Sequence, residues 1–355
     1  MFNSEGNLHT HWLFIASTPR HLYQAVALSL QGNHPCSVVL FDLDENSPLV
    51  SEATTGHYFD NATILTRPRK SHQRRTIFAQ QQAQICELIR KIKPTRVYVG
   101  NDFQPLSQWA LHYAKQQLVR VDGIYLDEGT GTYVTGYSAT KRIGKSLEGC
   151  LKRLSYGTWY RRPKKIGLSK YVDERWVDLP KLDTGRNVKQ LDQNLFSTDE
   201  FEKFATNVAT RIGYNSDLLE DIKLLFIVPH LSMMRRLYGG LDQFQTMIRA
   251  LHSSGYNIAL KMHPRTPDGL ELDDLPVHYL PPALPAELVF MLLPQSTLVI
   301  GSLSSAMISA IGILGSARVV SIDVKDSAFS RQMQPVLRYL DANVVVFDEL
   351  RDQLG

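Results

Sequence analysis

Three short motifs carry side chains that suit group transfer to or from an anionic substrate. The first is Asp127-Glu128-Gly129, which directly follows the predicted strand 121–126. Successive side chains of a strand point to opposite faces, so we expect only one of the two acids to face a substrate. One acid can then act as a general base while the other anchors the loop. Asp and Gly also favour turns, so a turn that merely ends a strand is an equal interpretation.

The second motif is Lys261-Met262-His263-Pro264-Arg265. Proline favours an extended conformation in the residue before it, which predicts that His263 ends a strand. An imidazole at that position, with Lys261 two residues earlier, can donate a hydrogen bond or a proton to a phosphate. The alternative is a surface histidine in a loop, and one His-Pro pair is weak evidence in a chain with eleven histidines.

The third motif, residues 301–305, lies between a predicted strand and a predicted helix and reads Gly-Ser-Leu-Ser-Ser. Gly301, Ser304 and Ser305 are small residues at a helix N-terminus, where backbone N–H groups and the positive end of the helix dipole attract anions. Ordinary N-capping by Ser304 uses the same geometry. We therefore predict that the segment both caps the helix and binds a phosphate.

Two other patterns are weaker. Residues 129–131 lack the third glycine of a dinucleotide-binding loop, and the chain has no Walker sequence. Asp42-Leu43-Asp44 has the spacing of the metal-binding acids in metal-dependent glycosyltransferases, but a polar loop after a strand explains it better. We predict no bound metal and no cofactor.

The elements that must position these motifs alternate between strands and helices, which indicates parallel, doubly wound α/β sheets. Predicted strands cover 12–16, 37–41, 63–65, 96–100, 121–126, 224–228, 257–262, 277–280, 297–300, 318–322 and 343–347; predicted helices cover 19–30, 75–92, 106–117, 242–253, 285–293 and 304–314. We predict an N-terminal Rossmann-like domain over 1–180, a linker over 181–220 and a C-terminal Rossmann-like domain over 221–355. Two such domains facing each other across a cleft form the GT-B architecture, and ligands bind beyond the carboxyl ends of the strands.

Composition excludes several classes of protein. With 355 residues, 43% hydrophobic and 21% charged, the chain is an ordinary globular protein rather than a disordered or fibrous one. Its longest apolar runs reach about six residues, far short of the roughly 20 that a membrane span needs. We read no signal peptide, because Glu5 stands where basic residues would be expected. Three cysteines without a CxxC pair favour a reducing compartment.

Basic charge is concentrated in residues 141–170, which we call the basic segment. It holds one acid, Glu148, and ten basic residues: Lys141, Arg142, Lys145, Lys152, Arg153, Arg161, Arg162, Lys164, Lys165 and Lys170. Because the whole chain carries only +4, the rest carries a net −5. With Tyr156, Trp159 and Tyr160 between the basic residues, the segment suits an anionic membrane surface or an acidic glycan. A solvated loop is the alternative, and no module for nucleic acid is present.

The ordered motifs resemble those of the bacterial GT-B sialyltransferases, namely the lipooligosaccharide sialyltransferase and capsule polysialyltransferase families (glycosyltransferase families 52 and 38). Those families share a D/E-D/E-G motif, an HP motif and a paired-serine motif, which correspond here to residues 127–129, 263–264 and 304–305. The opening strand with Ser17-Thr18-Pro19 is also similar to the start of those proteins. The resemblance spans most of the chain, although only through short motifs.

The resemblance implies a CMP-activated nonulosonic acid, such as sialic acid, as the donor. Asp127 would then be the general base on the acceptor hydroxyl, and His263 would protonate or hydrogen-bond the leaving phosphate. Ser304 and Ser305 would hold that phosphate, with Lys261 and Gly301 beside them. Glu287 matches the position that binds the ribose of CMP in relatives, although an acidic residue in the first turn of a helix explains it equally well.

Together these observations predict an inverting, metal-independent glycosyltransferase that acts on a bacterial surface glycan, either lipooligosaccharide or capsule. We expect it in the cytoplasm, peripheral on the inner membrane, with a CMP-sugar, a glycan or glycolipid acceptor and an anionic membrane surface as partners. CMP-Kdo or CMP-pseudaminate is the alternative donor. A non-catalytic scaffold of capsule assembly is the alternative from another class.

Overall fold

The computed structural model describes residues 10–32, 34–65, 74–133, 152–263, 266, 275–302, 304–322, 328–341, 343–345 and 349–350. The chain divides into two compact units, residues 1–195 and 196–355. Each unit contains its own parallel sheet, and each is described separately below.

The sheet of the first unit has seven strands in the described residues, in the order β3-β2-β1-β4-β5-β6-β7. The strands are β1 (Trp12–Ala16), β2 (Cys36–Leu40), β3 (Asn61–Ile64), β4 (Arg96–Val99), β5 (Asp122–Leu126), β6 (Glu174–Val177) and β7 (Val188–Gln190). All neighbouring strands are parallel. The strand order reverses direction between β1 and β4, so the carboxyl ends of β1, β4, β5 and β6 lie side by side, where open α/β sheets bind ligands.

The helices of the first unit are Pro19–Gln31, Pro48–Thr55, Arg74–Ile92, Pro105–Gln117 and Thr130–Tyr133. The first of them begins as its sequence predicts, because Pro19 occupies the first helical position and the Thr18 hydroxyl accepts a hydrogen bond from the backbone N–H of His21 at 3.3 Å. The helix Arg74–Ile92 packs against the helix Pro105–Gln117 on one face of the sheet. Leu13, Ile15 and Val97 of β1 and β4 are buried in this core.

The sheet of the second unit has six described strands in the order β10-β9-β8-β11-β12-β13. They are β8 (Leu224–Ile227), β9 (Ile258–Lys261), β10 (His278–Leu280), β11 (Leu298–Ser302), β12 (Val319–Ile322) and β13 (Asn343–Val345). Its helices are Asp199–Arg211, Leu231–Tyr238, Leu241–Ser253, Ala286–Met291, Ser305–Leu314 and Ala328–Tyr339. Because β9, β8 and β11 are adjacent and parallel, their carboxyl ends bring residues after 227, 261 and 302 to one edge.

The predicted linker over 181–220 contains regular structure. Strand β7 pairs with β6 and so continues the first sheet, whereas the helix Asp199–Arg211 packs against the helix Ala286–Met291 of the second unit. The boundary therefore falls between Leu195 and Phe196. Compared with the predicted domains 1–180 and 221–355, the first unit extends to residue 195 and the second begins at residue 196.

None of the helices in the described ranges is both long enough and apolar enough to cross a membrane.

Candidate functional site

Asp127 and Glu128 end β5 in very different surroundings. Asp127 is fully buried, and all four acceptor positions of its carboxylate are occupied. Its Oδ1 accepts from the backbone N–H of Gly129 at 2.6 Å and from the Thr132 hydroxyl at 2.7 Å. Its Oδ2 accepts from the Tyr133 hydroxyl and from the backbone N–H of Asp178 at 2.9 Å. Asp127 therefore anchors the loop that follows β5, and its role as the general base stays a prediction.

Gly129 completes this turn with a φ of 87°, a left-handed conformation that glycine adopts without steric cost. The turn leads directly into the short helix Thr130–Tyr133, which carries two of the groups that donate to Asp127. The Asp-Glu-Gly sequence thus has a structural reason for its first and third residues.

Glu128 is half-buried, and its Oε1 accepts a hydrogen bond from the Asn101 amide at 3.1 Å. Burial raises the pKa of its carboxyl to about 7, and the neighbouring carboxylates of Asp102 and Asp127 act in the same direction. The Asn101 amide and the Arg20 guanidinium oppose this rise by favouring the charged form. A carboxyl that loses its proton near neutral pH suits general-base catalysis.

Arg20 connects the helix Pro19–Gln31 to the ends of β5 and β6. Its Nε donates to the backbone carbonyl of Asp127 at 3.0 Å, and its guanidinium forms an ion pair with Asp178 at 2.5 Å. Gln24, one turn along the same helix, donates to the same carbonyl at 3.1 Å. Burial nevertheless raises the pKa of Asp178 to about 6, because Arg20 offsets only part of the desolvation.

The end of β4 contributes two polar residues that the sequence analysis did not single out. Asn101 contacts Glu128, as described above, and Asp102 is buried beside it. The Asp102 carboxylate accepts backbone N–H bonds from Gly167 and Ser169, each at 2.7 Å. Burial raises the pKa of Asp102 to about 6. Their position after the apolar run 97–100 was a usable signal, because polar residues at adjacent strand ends converge in a parallel sheet.

His263 follows the end of β9 in the second unit and is half-buried. Its ring lies edge-on to the ring of His230, with centroids 5.6 Å apart and planes at 86°. His230 follows β8, so two imidazoles meet at the ends of adjacent strands. Nδ1 of His230 accepts from the backbone N–H of Ser232 at 3.3 Å, so the neutral ring carries its proton on Nε2. The sequence analysis missed His230, although it too follows an apolar run.

Lys261 is the last residue of β9 and is 3% exposed. Its ammonium group donates to the backbone carbonyl of Pro282 at 3.2 Å. Burial lowers its pKa to about 8, while the negative charge of Glu287 opposes this shift. Glu287 is half-buried in the first turn of the helix Ala286–Met291. The structure thus brings these two predicted residues near each other, with Lys261 held against the fold.

The third motif is located as its sequence predicts. Ser304 caps the helix Ser305–Leu314, and its hydroxyl accepts from the backbone N–H of Met307 at 3.3 Å. Gly301 has a packing reason, because a Cβ there would lie 3.0 Å from Cβ of Ile227 on β8 and 3.0 Å from Sδ of Met307. Ser305 is half-buried in the first turn. Since β8 and β11 are adjacent, the helix N-terminus at Ser305 and the one at Leu231 follow neighbouring strands.

Asp42 and Asp44 lie in an exposed turn after β2. Asp42 adopts a φ of 59°, and Oδ1 of Asp44 accepts from the backbone N–H of Asn46 at 3.0 Å, which are features of a turn. In the described part of the chain, no group of three or more His, Cys, Asp or Glu side chains is arranged to hold a metal ion. The absence of a metal from the reaction stays a prediction.

Residues 141–151 of the basic segment lie outside the described residues, whereas residues 152–170 are described. Tyr160 and Ile166 are buried. The Gln108 amide donates to the backbone carbonyl of Arg161 and accepts from its backbone N–H. Arg153, Arg161, Lys164 and Lys170 are exposed, as is Leu154, with 84% of its surface accessible. Residues 152–170 are therefore fixed to the first unit and present cations and an apolar side chain to solvent.

The fold of the chain is shared with UDP-N-acetylglucosamine 2-epimerases. One such structure matches with a TM-score of 0.54 and 12% identity over 98% of this chain and 87% of that one. The epimerase of Neisseria meningitidis, solved with UDP-GlcNAc bound, matches with a TM-score of 0.52 and 12% identity over 97% of this chain and 98% of that one. The epimerase of Methanocaldococcus jannaschii matches with a TM-score of 0.52 and 10% identity over 97% of this chain and 90% of that one. At these identities the likeness shows the fold alone, and it confirms the predicted α/β GT-B class with two Rossmann-like sheets.

Comparison with curated proteins gives no significant match. A model of the alpha-2,8-polysialyltransferase family matches residues 12–322, a range that includes all three motifs. Of the two families that the motifs resemble, this match supports the polysialyltransferases, and a relation to the lipooligosaccharide sialyltransferases stays a prediction. The chain belongs to the alpha-2,8-polysialyltransferase family and is a glycosyltransferase that transfers sialic acid.

Proposed function

We propose that this enzyme transfers sialic acid from CMP-sialic acid to an acidic surface glycan, with inversion at the sugar carbon and without a metal ion. The observation that carries the mechanism is Glu128, a half-buried carboxyl at the end of β5 with a pKa of about 7 and an oxygen, Oε2, that has no hydrogen-bond partner among the described residues. Glu128 takes the role that the sequence analysis gave to Asp127.

The base has to accept a proton from an acceptor hydroxyl, so it needs an available oxygen. Asp127 has none, because four donors occupy its carboxylate. Glu128 keeps Oε2 available while Oε1 is held by Asn101. Deprotonation of the hydroxyl as the sugar carbon is attacked would contribute about 10²–10⁴ to the rate.

In the second unit we propose that His263, with His230 beside it, binds the phosphate of the CMP leaving group. Two imidazole rings in contact, next to the N-termini of the helices Leu231–Tyr238 and Ser305–Leu314, concentrate hydrogen-bond donors at one edge of the sheet. Ser304 and Ser305 add hydroxyl groups there. We propose the first turn at Glu287 as the place of the ribose, with Lys261 setting the local charge.

We propose that no metal is needed because CMP leaves as a phosphate monoester, which carries less charge than a nucleoside diphosphate. Histidine and hydroxyl donors and helix N-termini can stabilise that charge in a site with little water. Turnover should then be the same with and without EDTA. A strict requirement for Mg²⁺ or Mn²⁺ would contradict the proposal and would make Asp42 and Asp44 candidates again.

The experiment that tests the donor is isothermal titration calorimetry with CMP, followed by donor hydrolysis without acceptor. We expect the wild type to bind CMP and to hydrolyse CMP-sialic acid slowly. The Glu128→Gln and His263→Ala variants should hydrolyse it more slowly than the wild type does. Faster hydrolysis of CMP-Kdo or CMP-pseudaminate would change the sugar. Absence of both CMP binding and hydrolysis would favour the scaffold alternative.

A further inference from the structure

The side-chain amide of Asn101 is fixed from two sides. Its Nδ2 donates to Oε1 of Glu128 at 3.1 Å, and its Oδ1 accepts the backbone N–H of Phe103 at 3.0 Å. The second bond sets the orientation of the amide, because only the oxygen can accept from a backbone N–H. The NH₂ group is thereby directed at the Glu128 carboxylate, with no rotation of the amide left open.

The position of Asn101 follows from the topology. It comes directly after Val99 and Gly100 at the end of β4, and Glu128 comes directly after the end of β5, the neighbouring parallel strand. The next residue, Asp102, is held by the backbone N–H groups of Gly167 and Ser169, so the loop that carries Asn101 is fixed on its far side as well. The amide is therefore delivered by a rigid part of the first unit.

Most of the groups around Glu128 disfavour its ionised form. From β4 the Asp102 carboxylate and from β5 the Asp127 carboxylate both disfavour ionisation of Glu128, as does burial. Arg20, from the helix Pro19–Gln31, favours ionisation, but its guanidinium is already engaged with Asp178 and with the backbone carbonyl of Asp127. The Asn101 amide is the donor that contacts the carboxylate itself.

We infer that Asn101 is a positioning residue for Glu128: its amide orients the carboxylate, leaves Oε2 for the acceptor hydroxyl, and favours the ionised form in which Glu128 can accept a proton. The inference rests on the proposed role of Glu128 as the base. It predicts that a change at Asn101 alters the pH at which the enzyme becomes active and not only its maximal rate.

The test compares Asn101→Asp, Asn101→Leu and the wild type. Asn101→Asp keeps the size of the side chain and can still accept from Phe103, but it replaces the donor with a carboxylate; Asn101→Leu removes both. The matched control is Asn215→Asp in the second unit, where the side chain accepts from the backbone N–H of Asp217 and an aspartate can do the same. Thermal melting establishes that each variant is folded.

We expect the rise of kcat/KM with pH to move upward by about one pH unit in both Asn101 variants, because a hydrogen bond to a charged group favours the charged form by roughly that amount. Below the wild-type midpoint this is about a tenfold loss, which partly recovers at high pH. The Asn215→Asp profile should match the wild type. A midpoint that stays unmoved in the folded Asn101 variants would overturn the inference, whatever happens to the plateau.

A direct titration separates this inference from the proposed function. The Glu128 carboxyl can be followed by ¹³C NMR in glutamate-labelled protein, assigned by the signal that Glu128→Gln lacks. We expect the NMR midpoint to move with the kinetic one. An unchanged carboxyl titration in Asn101→Asp would overturn the role of Asn101 alone. Full activity of Glu128→Gln would instead remove the base assignment itself, and with it the catalytic meaning of Asn101.

Discussion

At the scale of single residues, two adjacent acids share one motif but differ in what they do. The Asp127 side chain accepts four hydrogen bonds, three from the turn and short helix that follow it and one from Asp178 after β6, whereas the Glu128 side chain accepts one. The sequence predicts that only one acid of the pair is available, because strand side chains alternate. It does not predict which one, because the donors to Asp127 include backbone N–H groups that any sequence would carry.

This difference predicts opposite stability effects for two conservative substitutions. Asp127→Asn places an NH₂ group against two of the four donors, so we expect thermal unfolding at clearly lower temperature, with about 1.5–3 kcal/mol lost for each bond to the charged group that is broken. Glu128→Gln should fold as well as the wild type and lose about 10²–10⁴ in turnover. Differential scanning calorimetry and an initial-rate assay measure both. Near-normal turnover in Glu128→Gln with a stable, inactive Asp127→Asn would restore Asp127 as the base.

The raised pKa of Glu128 also predicts a pH-dependent stability. The folded protein binds this proton more tightly than the unfolded chain, whose glutamate pKa is near 4.5, so Glu128 costs stability as pH rises from about 4.5 through about 7. Glu128→Gln removes the buried charge. We expect its Tm to exceed that of the wild type by about 2–4 °C at pH 8.5 and to equal it at pH 4.5. A Tm difference that is the same at both pH values would contradict the shifted pKa.

At the scale of elements, the apolar runs predict strands β1 to β5 and β8 to β13 to within one or two residues. Strand β6 was missed because it begins with Glu174 and Arg175. Arg175 is 1% exposed, and its charge is balanced by the buried carboxylate of Asp183. Such a pairing forms only after folding, so a charged residue in the core looks like a surface residue in the sequence.

Helices were missed where a loop was expected. The helix Asp199–Arg211 has Thr198 as N-cap, acids in its first turn and a buried apolar face, so its signals were present but were assigned to the linker. The helix Leu231–Tyr238 has His230 as its cap, an unusual residue for that position. The same oversight hid His230 as a site residue, because a capping histidine carries no sequence signature.

The contact between His230 and His263 predicts that both bind the leaving group. His230→Asn keeps a side chain that caps a helix well, so it isolates the imidazole from the cap. We expect CMP affinity, measured by calorimetry, to fall about tenfold to 150-fold, which corresponds to the loss of one hydrogen bond to a charged group. His252→Asn is the control, since that histidine is exposed on the helix Leu241–Ser253. Unchanged CMP affinity in His230→Asn would exclude His230 from the phosphate site.

At the scale of the whole molecule, the two units contribute different chemistry. The first unit provides carboxyl groups with raised pKa values at the ends of β4, β5 and β6, and the second provides imidazole, hydroxyl and helix N-terminal donors at the ends of β8, β9 and β11. The direct displacement that we propose would need a proton acceptor, for which we propose the first unit, and a site for the leaving anion, for which we propose the second. For recruitment of the acceptor we propose the exposed cations of residues 152–170 in the first unit.

The basic segment predicts recruitment to an anionic surface, for which we propose the inner membrane. Two cations of the basic segment pack against the first unit. Lys165 is half-buried and burial lowers its pKa, and the guanidinium of Arg162 lies 4.8 Å from the ring centroid of Phe103. Arg153, Arg161 and Lys164 are exposed near Leu154 in sequence. Changing these three cations to Gln therefore tests the surface without disturbing the packing.

Each cation near an anionic bilayer contributes on the order of 1 kcal/mol, so the triple variant should bind vesicles containing phosphatidylglycerol at least tenfold more weakly than the wild type. The control changes Lys203, Lys223 and Arg249, exposed cations of the second unit, to Gln, which alters the net charge equally. Binding of the wild type should also weaken as salt is added, because salt screens exposed charges. Acceptor-free donor hydrolysis should be the same in all three proteins, because we propose no role for the substituted cations in donor binding or proton transfer. Equal vesicle binding by the two triple variants would mean that net charge alone, and not the basic segment, causes binding. If only the first triple variant lost activity on a soluble acidic glycan, the basic segment would bind the glycan rather than the membrane.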